Sequence, residues 1–232
     1  MDKDFKGLEK KIGTIFKNSD LLKEALTHRS YLNERPDWPS PHNERLEYLG
    51  DAVLELAVSQ ALFQKFATYP EGKLTVLRAA LVNYQMLSKV ATEIGLEKYI
   101  LMSRGEAKDK GKAREVILAN TIEALIGAIY LDHGFEEAKL FVKKFVLPRL
   151  EEIIANRTYK DAKSELQELY QEKLKATPTY RVLEESGPAH DRSFQIGVYV
   201  GEMLIGKGTG GSKQEAELEA ARVALEDARK HR

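Results

Sequence analysis

The chain has 232 residues, and its 36 Lys and Arg are balanced by 36 Asp and Glu, so the formal net charge at pH 7 is zero. Hydrophobic residues make up 43% and charged residues 31%, which excludes a disordered chain and permits one large or two modest domains. The chain has no cysteine, which excludes disulfide bonds, thiolate zinc sites and a cysteine nucleophile.

Targeting signals and membrane spans are not expected from this sequence. Residues 1–5 mix acidic and basic side chains, where a signal peptide has a basic patch followed by an apolar stretch. The longest uncharged run, residues 79–88, is much shorter than the roughly 20 apolar residues of a membrane helix. We therefore expect a cytoplasmic protein with no membrane partner. Because the net charge is zero, binding to nucleic acid would depend on local clusters of Lys and Arg.

The first two thirds of the chain are predicted to be helical. From residue 5 to about residue 154, apolar residues recur every three or four positions, and the alternation typical of strands is nearly absent. The longest break, residues 34–41, contains three of the seven prolines and is predicted to be a loop. Shorter breaks at residues 69–72, 105–111 and 133–134 divide the rest into several helices. We expect these helices to pack as one domain over residues 1–155.

One helix of this domain carries three acidic residues on one face. Glu44, Glu47 and Asp51 follow one another at spacings of three and four, which aligns them in a narrow stripe opposite an apolar stripe. Neighbouring like charges repel, and burial of an unpaired carboxylate is costly, so a buried stripe requires a cation. The alternative interpretation is a solvated helix face whose acids form surface salt bridges.

A second polar pair, Asn120 and Glu123, interrupts the apolar run at residues 116–131 and is expected to face a polar site. The candidate ligands are oxygen atoms alone, without cysteine and without a suitably placed histidine, so a bound metal would be Mg²⁺ or Mn²⁺. Such cations are typical of phosphoryl-transfer sites. The two helices together therefore favour a metal site over a solvated surface.

After a predicted linker at residues 156–159, the pattern changes to that of a small α+β domain at residues 160–230. Its first helix, residues 161–174, has an apolar face that includes Leu166 and Leu174. Apolar residues alternate at residues 194–200, which predicts a strand, and Gly201 begins a two-residue hairpin turn. Ser212 and Glu215 form a capping-box pattern before the last helix. The predicted order of elements is α-β-β-β-α.

Four segments resemble the bacterial ribonuclease III family, in the order in which they occur in that family. The most specific is residues 43–51, with the sequence NERLEYLGD, which resembles the family signature. Residues 26–31 (LTHRSY) precede it, residues 117–127 (ILANTIEALIG) resemble the second catalytic helix, and residues 160–230 resemble a double-stranded RNA-binding domain. The resemblance implies a multidomain protein, with an all-α ribonuclease III-like helical domain followed by a small α+β RNA-binding domain.

The resemblance also implies a function. The protein would be a Mg²⁺-dependent endoribonuclease, in which Mn²⁺ can replace Mg²⁺ and no organic cofactor takes part. It would cleave double-stranded RNA as a homodimer, with one site per subunit, and leave 5′-phosphate and 3′-hydroxyl ends. Its implied role is the processing of structured RNA, such as ribosomal RNA precursors and messenger RNA.

The site residues are carried over from the family position by position. The resemblance implies a catalytic site of five residues, of which all but the first bind the metal: Glu44, Glu47, Asp51, Asn120 and Glu123. Asp51 and Glu123 would be the least dispensable. Glu71 falls where the family has another acid at the edge of the catalytic valley. Tyr48 occupies the position of an aromatic that inserts into the partner subunit, with a core aromatic of its own chain as the alternative.

The chain departs from the family at one ligand position, because the family usually has Asp where this chain has Asn120. An amide oxygen can still bind Mg²⁺, but Asn in place of Asp removes one negative charge and weakens the affinity of the site for a hard cation. The alternative function is therefore a double-stranded RNA-binding protein with weak or no cleavage activity.

Duplex RNA is recognised by shape, through contacts to two minor grooves and to the phosphates between them. Three contact regions are therefore predicted. They are the first helix of the second domain with Lys163 and Gln167, the loop at residues 187–190 with Pro188 and His190, and the start of the last helix with Ser212, Lys213 and Gln214. Plainer roles are a solvated helix face, an incidental loop histidine and a helix cap, respectively. Residues 160–232 have 12 Lys and Arg against 13 Asp and Glu, so we expect modest, salt-sensitive affinity.

Overall fold

The computed structural model describes residues 5–155, 162–188 and 192–230 of the chain. Its contacts fall into two compact units, Met1–Tyr159 and Lys160–Arg232, which are described in turn. The linker predicted at residues 156–159 lies outside the described residues.

The first unit is built from helices, as predicted. In its described residues, the helices are α1 (Lys6–Ile12), α2 (Ser19–Ala25), α3 (Arg29–Glu34), α4 (Glu44–Lys65), α5 (Glu71–Val82), α6 (Tyr84–Ile94), α7 (Arg104–Lys108), α8 (Lys112–His133), α9 (Phe135–Phe145) and α10 (Arg149–Ala155), with a 3-10 turn at Leu96–Lys98. A single isolated β-bridge, between Thr27 and Leu101, is the only extended pairing that the described part of this unit contains.

Helix α8 forms the centre of the first unit because apolar side chains lie on all its sides. Ile117, Ile122, Leu125, Ile126 and Ile129 are buried there. By length and composition α8 is apolar enough to cross a membrane, but most of its apolar window is buried inside the unit. A helix that is apolar all round is also what the core of a helical domain requires, and α8 has that place here.

Helices α4 and α8 pack with their backbones in contact at two glycines. A methyl group at Gly50 of α4 would lie 1.7 Å from the carbonyl oxygen of Glu123, and one at Gly127 of α8 would lie 2.3 Å from the carbonyl oxygen of Leu46. No side chain larger than hydrogen fits at either position without moving the helices apart. The residues that flank these glycines are therefore brought unusually close together.

The predicted break at residues 105–111 contains a short helix, so this part of the prediction was wrong. Helix α7 begins after Ser103, whose hydroxyl accepts a hydrogen bond of 3.2 Å from the backbone N–H of Glu106. This cap satisfies a backbone donor that the short helix cannot satisfy by itself. The same device starts α2 at Asn18 and α6 at Asn83.

The second unit has the predicted α-β-β-β-α order. Its elements are α11 (Ala162–Leu174), β1 (Thr179–Ser186), β2 (Ser193–Val200), β3 (Met203–Gly210) and α12 (Lys213–Lys230). The three strands form an antiparallel sheet in the order β1-β2-β3. Val200 pairs with Met203, which leaves the predicted two-residue turn at Gly201, where φ is +60°.

Helix α12 packs on both α11 and the sheet through small side chains. Ala216, Ala220 and Ala224 are buried, and a methyl group at Gly208 of β3 would lie 2.1 Å from the backbone nitrogen of Ala220. Leu166 of α11 is fully buried in this core, whereas Leu174 is 58% exposed, against the prediction. Eight helical residues turn through about 800°, so Leu174 lies roughly 80° away from Leu166 around the helix.

Candidate functional site

The crossing of α4 and α8 brings the predicted metal ligands together. Gly50 lies between Glu47 and Asp51 on α4, and it packs on the carbonyl oxygen of Glu123 on α8. Asn120, one turn before Glu123, donates a side-chain hydrogen bond to the carboxylate of Glu47. We call Glu47, Asp51, Asn120 and Glu123 the acidic cluster. Sequence analysis predicted these four residues but did not predict the glycine contact that joins them.

The acidic cluster has no cation of its own among the described residues. No Lys, Arg or His forms a salt bridge with Glu47, Asp51 or Glu123 there. Glu44, by contrast, is half-exposed and has Arg29 at 3.5 Å and His42 at 3.8 Å. The interpretation as a solvated face with surface salt bridges therefore describes Glu44, at the rim. Glu47 and Glu123 are partly buried, and Asp51, although exposed, has no salt-bridge partner among the described residues.

The carboxylates of the cluster have raised pKa values, and no cation among the described residues pairs with them. Burial, and then the nearby charges of Asp51 and Glu47, raise the pKa of Glu123 to about 8. Burial also raises the pKa of Glu47, and the hydrogen bond from Asn120 partly offsets that rise. Burial and the charge of Glu55 raise the pKa of Asp51. Each ionised carboxylate thus lacks the opposite charge that would stabilise it.

The residues of the cluster fit a hard divalent cation by their chemistry. Within the described residues, no group of three His, Cys, Asp or Glu is already arranged to hold a metal ion. The cluster nevertheless combines three carboxylates and one amide, all oxygen donors, with an excess of negative charge that a divalent cation would neutralise. The amide nitrogen of Asn120 bonds Glu47, and its oxygen is a separate atom that can serve as a ligand.

Residues 26–31 and Asn43 have structural roles that sequence analysis did not predict. His28 caps α3, and its backbone N–H donates to Leu101 at 2.9 Å. Asn43 is buried beside them, where its side chain donates to the carbonyl oxygen of Ala25 and its N–H donates to Thr27. These bonds anchor the start of α4 to α2, and they thereby hold the first turn of the acidic stripe in place.

Glu71 lies at the start of α5, and Tyr48 is exposed on α4. Glu71 accepts a hydrogen bond from the hydroxyl of Thr75 at 2.8 Å, and lines a depression of about 420 Å³ together with Leu56 and Phe63. Tyr48 is 83% exposed, so its interpretation as a core aromatic of its own chain was wrong. Its contact with a partner subunit stays a prediction.

Three of the predicted RNA-binding residues of the second unit meet at a surface depression of about 470 Å³. Lys163, Gln167 and Gln214 line it, so the first and third predicted contact regions adjoin. The ammonium of Lys163 lies 2.7 Å from a carboxylate oxygen of Glu217. Of the other predicted contacts, the hydroxyl of Ser212 caps α12, the ammonium of Lys213 lies over the ring of Phe194, and Pro188 is exposed. His190 lies outside the described residues.

Comparison with known proteins matches both units. The family model described as ribonuclease-III-like matches residues 18–150, and the model described as a double-stranded RNA binding motif matches residues 162–227. The chain is 44% identical over 227 residues to ribonuclease 3 of Bdellovibrio bacteriovorus, with 97% of both chains covered. It is 46% identical over 221 residues to ribonuclease 3 of Bacillus cereus, with 95% of this chain and 90% of that relative covered.

A solved structure resembles the first unit. The nuclease domain of ribonuclease III from Campylobacter jejuni is 44% identical, with a TM-score of 0.57, and the match covers 62% of this chain and 97% of that one. That structure was described for flexibility in a region involved in dimer formation of the nuclease domain.

Proposed function

Because the chain belongs to the ribonuclease III family, we propose that the acidic cluster at the crossing of α4 and α8 is its catalytic centre. The protein is a double-strand-specific endoribonuclease with a double-stranded RNA-binding domain. The observation that carries the proposal is a group of three carboxylates without a cation among the described residues. Glu47 and Glu123 are partly buried, Asp51 is exposed, and Glu123 has its pKa raised to about 8. Perturbed acids of this kind concentrate at catalytic sites.

In the proposed site, Glu47, Asp51, Asn120 and Glu123 hold Mg²⁺, which Mn²⁺ can replace. When bound, the metal supplies the activation of a water molecule and the stabilisation of charge on the leaving oxygen. Asn120 donates to the carboxylate of Glu47 and favours its ionised form. Glu123, with its raised pKa, holds a proton near neutral pH and must release it to become an anionic ligand. We expect products with 5′-phosphate and 3′-hydroxyl ends.

The second unit is proposed to hold the duplex while the first unit cuts it. The surface that includes Lys163, Gln167 and Gln214 offers one ammonium and two amides to the ribose and phosphate groups of an A-form duplex. Recognition of duplex shape, without base contacts, suits an enzyme that processes varied structured RNA, and we propose ribosomal RNA precursors and messenger RNA as substrates.

The protein is proposed to act as a homodimer through the exposed apolar stripe of α4. Tyr48, Leu56 and Phe63 of this helix are 83%, 57% and 73% exposed, which is unusual for large apolar side chains on one face. One acidic cluster can cut one strand, so a two-fold pair of subunits would place two clusters at the two strands. The stripe lies on the same helix as Glu47 and Asp51, so one helix would contribute to both the dimer interface and the catalytic centre.

The experiment that tests this function is incubation of a labelled RNA duplex with the protein in Mg²⁺ or Ca²⁺. Cleavage of the duplex in Mg²⁺, together with binding of the intact duplex in Ca²⁺, supports the enzyme. Binding of the duplex without cleavage in both ions supports the RNA-binding protein that Asn120, in place of the family's usual Asp, suggests. Glu123→Gln should abolish cleavage and preserve binding of the duplex. Glu115→Gln, an exposed position on the same helix α8, is the matched control and should cut like the wild type. Cleavage by Glu123→Gln at the wild-type rate would contradict the site.

A further inference from the structure

The second unit carries an ion pair at the surface where RNA is proposed to bind. The ammonium of Lys163 on α11 lies 2.7 Å from a carboxylate oxygen of Glu217 on α12, a charge-assisted contact across 54 positions of the sequence. The same ammonium lies 4.8 Å from the centre of the Tyr180 ring. Both side chains are partly buried, with 40% exposure for Lys163 and 27% for Glu217, so this pair is less screened than one in open solvent.

Lys163 matters because the depression beside it has little other positive charge. The described residues that line it are Lys163, Ser164, Gln167, Gln214 and Leu218, of which Lys163 is the single basic one. Affinity for a duplex depends on the number of phosphate charges that Lys and Arg neutralise. While Glu217 holds the ammonium of Lys163, the pair has no net charge to offer a phosphate.

We propose that Glu217 sets the RNA affinity of the second unit, because its carboxylate competes with RNA phosphate for the ammonium of Lys163. This inference rests on the proposed function, in which this surface binds duplex RNA. A phosphate that contacts Lys163 must displace the carboxylate of Glu217 and then remain near that negative charge. Glu217 is then an affinity-determining residue that does not itself contact RNA.

The test is the binding of a fluorescent duplex of 30 base pairs to the full chain in EDTA, measured by anisotropy at several salt concentrations. Glu217→Gln should bind about threefold to tenfold more tightly than the wild type, because it releases Lys163. The plot of log K against log salt should become steeper by about 0.9, which corresponds to one additional phosphate contact. In a Lys163→Met background, most of this gain should disappear.

Glu219→Gln is the matched control, because it removes the same charge from the same helix, while its cationic partner, Arg222, does not line the depression and stays paired with Glu226. Glu219 pairs with Arg222 on the exposed side of α12. An equal gain for Glu219→Gln, or an undiminished gain in the Lys163→Met background, would contradict the inference, because net charge alone would then explain the effect. Thermal unfolding of Glu217→Gln and Glu217→Ala checks that the second unit stays folded.

The other possible results of the binding and unfolding measurements would each overturn the inference. Unchanged or weaker binding by folded Glu217→Gln would overturn the inference and leave the proposed function standing. Unfolding of the second unit in both Glu217 variants would assign the pair a structural role and overturn the inference as well. If no protein, including the wild type, bound the duplex, the proposed function would fail and the inference with it.

Discussion

At the scale of single residues, Asn120 has two atoms with different roles. Its amide N–H donates to Glu47, and its amide oxygen is the proposed metal ligand. An Asp at this position would keep an oxygen ligand but would lose the donor and add a fourth negative charge to the cluster. The amide thus lowers repulsion in the metal-free protein and also lowers the charge that attracts the metal.

We predict that Asn120→Asp lowers the Mg²⁺ concentration for half-maximal cleavage and leaves the maximal rate equal or higher. Hard cations gain more from an anionic oxygen than from an amide oxygen. A Mg²⁺ titration of cleavage with both proteins on one duplex measures this requirement. In EDTA, the same variant should unfold at a lower temperature than the wild type, because no cation offsets the added repulsion. An unchanged Mg²⁺ requirement would mean that position 120 does not contact the metal.

Glu123 links the cluster to stability. Its pKa is raised in the folded protein to about 8, from an ordinary value of 4.5, so the folded state binds its proton more tightly than the unfolded state does. This contribution to stability is fully present below pH 4.5 and is lost as the pH rises through 8. The metal-free protein should therefore lose stability across this range.

We predict that, in EDTA, Glu123→Gln removes this loss. The wild type should lose on the order of 4 kcal/mol more in the free energy of unfolding than the variant does between pH 5 and pH 9, since glutamine never ionises. Urea unfolding at the two pH values measures the difference, and Glu115→Gln should show none. Equal pH dependence in wild type and Glu123→Gln would show that Glu123 titrates normally.

At the scale of secondary-structure elements, the contact between α4 and α8 determines the site. The acids lie on two helices that approach at Gly50 and Gly127, where only hydrogen fits between the backbones. A glycine in the middle of a helix costs roughly 1 kcal/mol relative to alanine, so its presence indicates a packing requirement. This signal was visible in the sequence, within the segments NERLEYLGD and ILANTIEALIG.

We predict that Gly50→Ala destabilises the first unit by about 3 kcal/mol and abolishes cleavage, because its methyl group forces α4 away from Glu123. Urea unfolding and a cleavage assay measure the two effects. Gly72→Ala is the matched control on α5, where a methyl group meets no atom within 4 Å. It should change stability by no more than about 1 kcal/mol, in the stabilising direction. A Gly50→Ala protein as stable and active as the wild type would contradict the importance of this contact.

At the scale of the whole molecule, the two units have separate cores. One cluster of buried apolar residues lies in the first unit, and two smaller clusters lie in the second. The acidic cluster and the exposed stripe of α4 both belong to the first unit.

We predict that a chain truncated after Asn156 remains a folded dimer that cuts duplex RNA at low salt. At higher salt it should lose activity sooner than the full chain, because it lacks the phosphate contacts of the second unit. Sedimentation and cleavage at two salt concentrations test both statements. A monomeric truncated chain would mean that the second unit takes part in the interface.

We further predict that Tyr48→Ala weakens dimer formation at least about tenfold, as loss of a central aromatic does at many interfaces. Leu140→Ala on α9, where the leucine is also exposed, is the control and should sediment like the wild type. A Tyr48→Ala protein that dimerises with unchanged affinity would place the interface elsewhere.

The sequence by itself determined what depends on local spacing. Apolar residues at intervals of three and four predicted the helices of the first unit, and alternation with a glycine turn predicted the hairpin at Gly201. The acidic stripe and the pair Asn120 and Glu123 were also predictable, because carboxylates in apolar helices require a reason. Short helices that depend on one capping hydrogen bond, such as α7, were not predicted.

Only the tertiary structure decided which distant groups meet. Asn120 bonds Glu47 across 73 positions because two glycines allow α4 and α8 to touch, and Lys163 bonds Glu217 because α11 packs beside α12. It also decided exposure, leaving Tyr48 outside the core and Glu44 paired with Arg29 at the rim. Periodicity predicts the face of a helix on which a residue lies, but the partner of that face depends on long-range packing, which no local pattern contains.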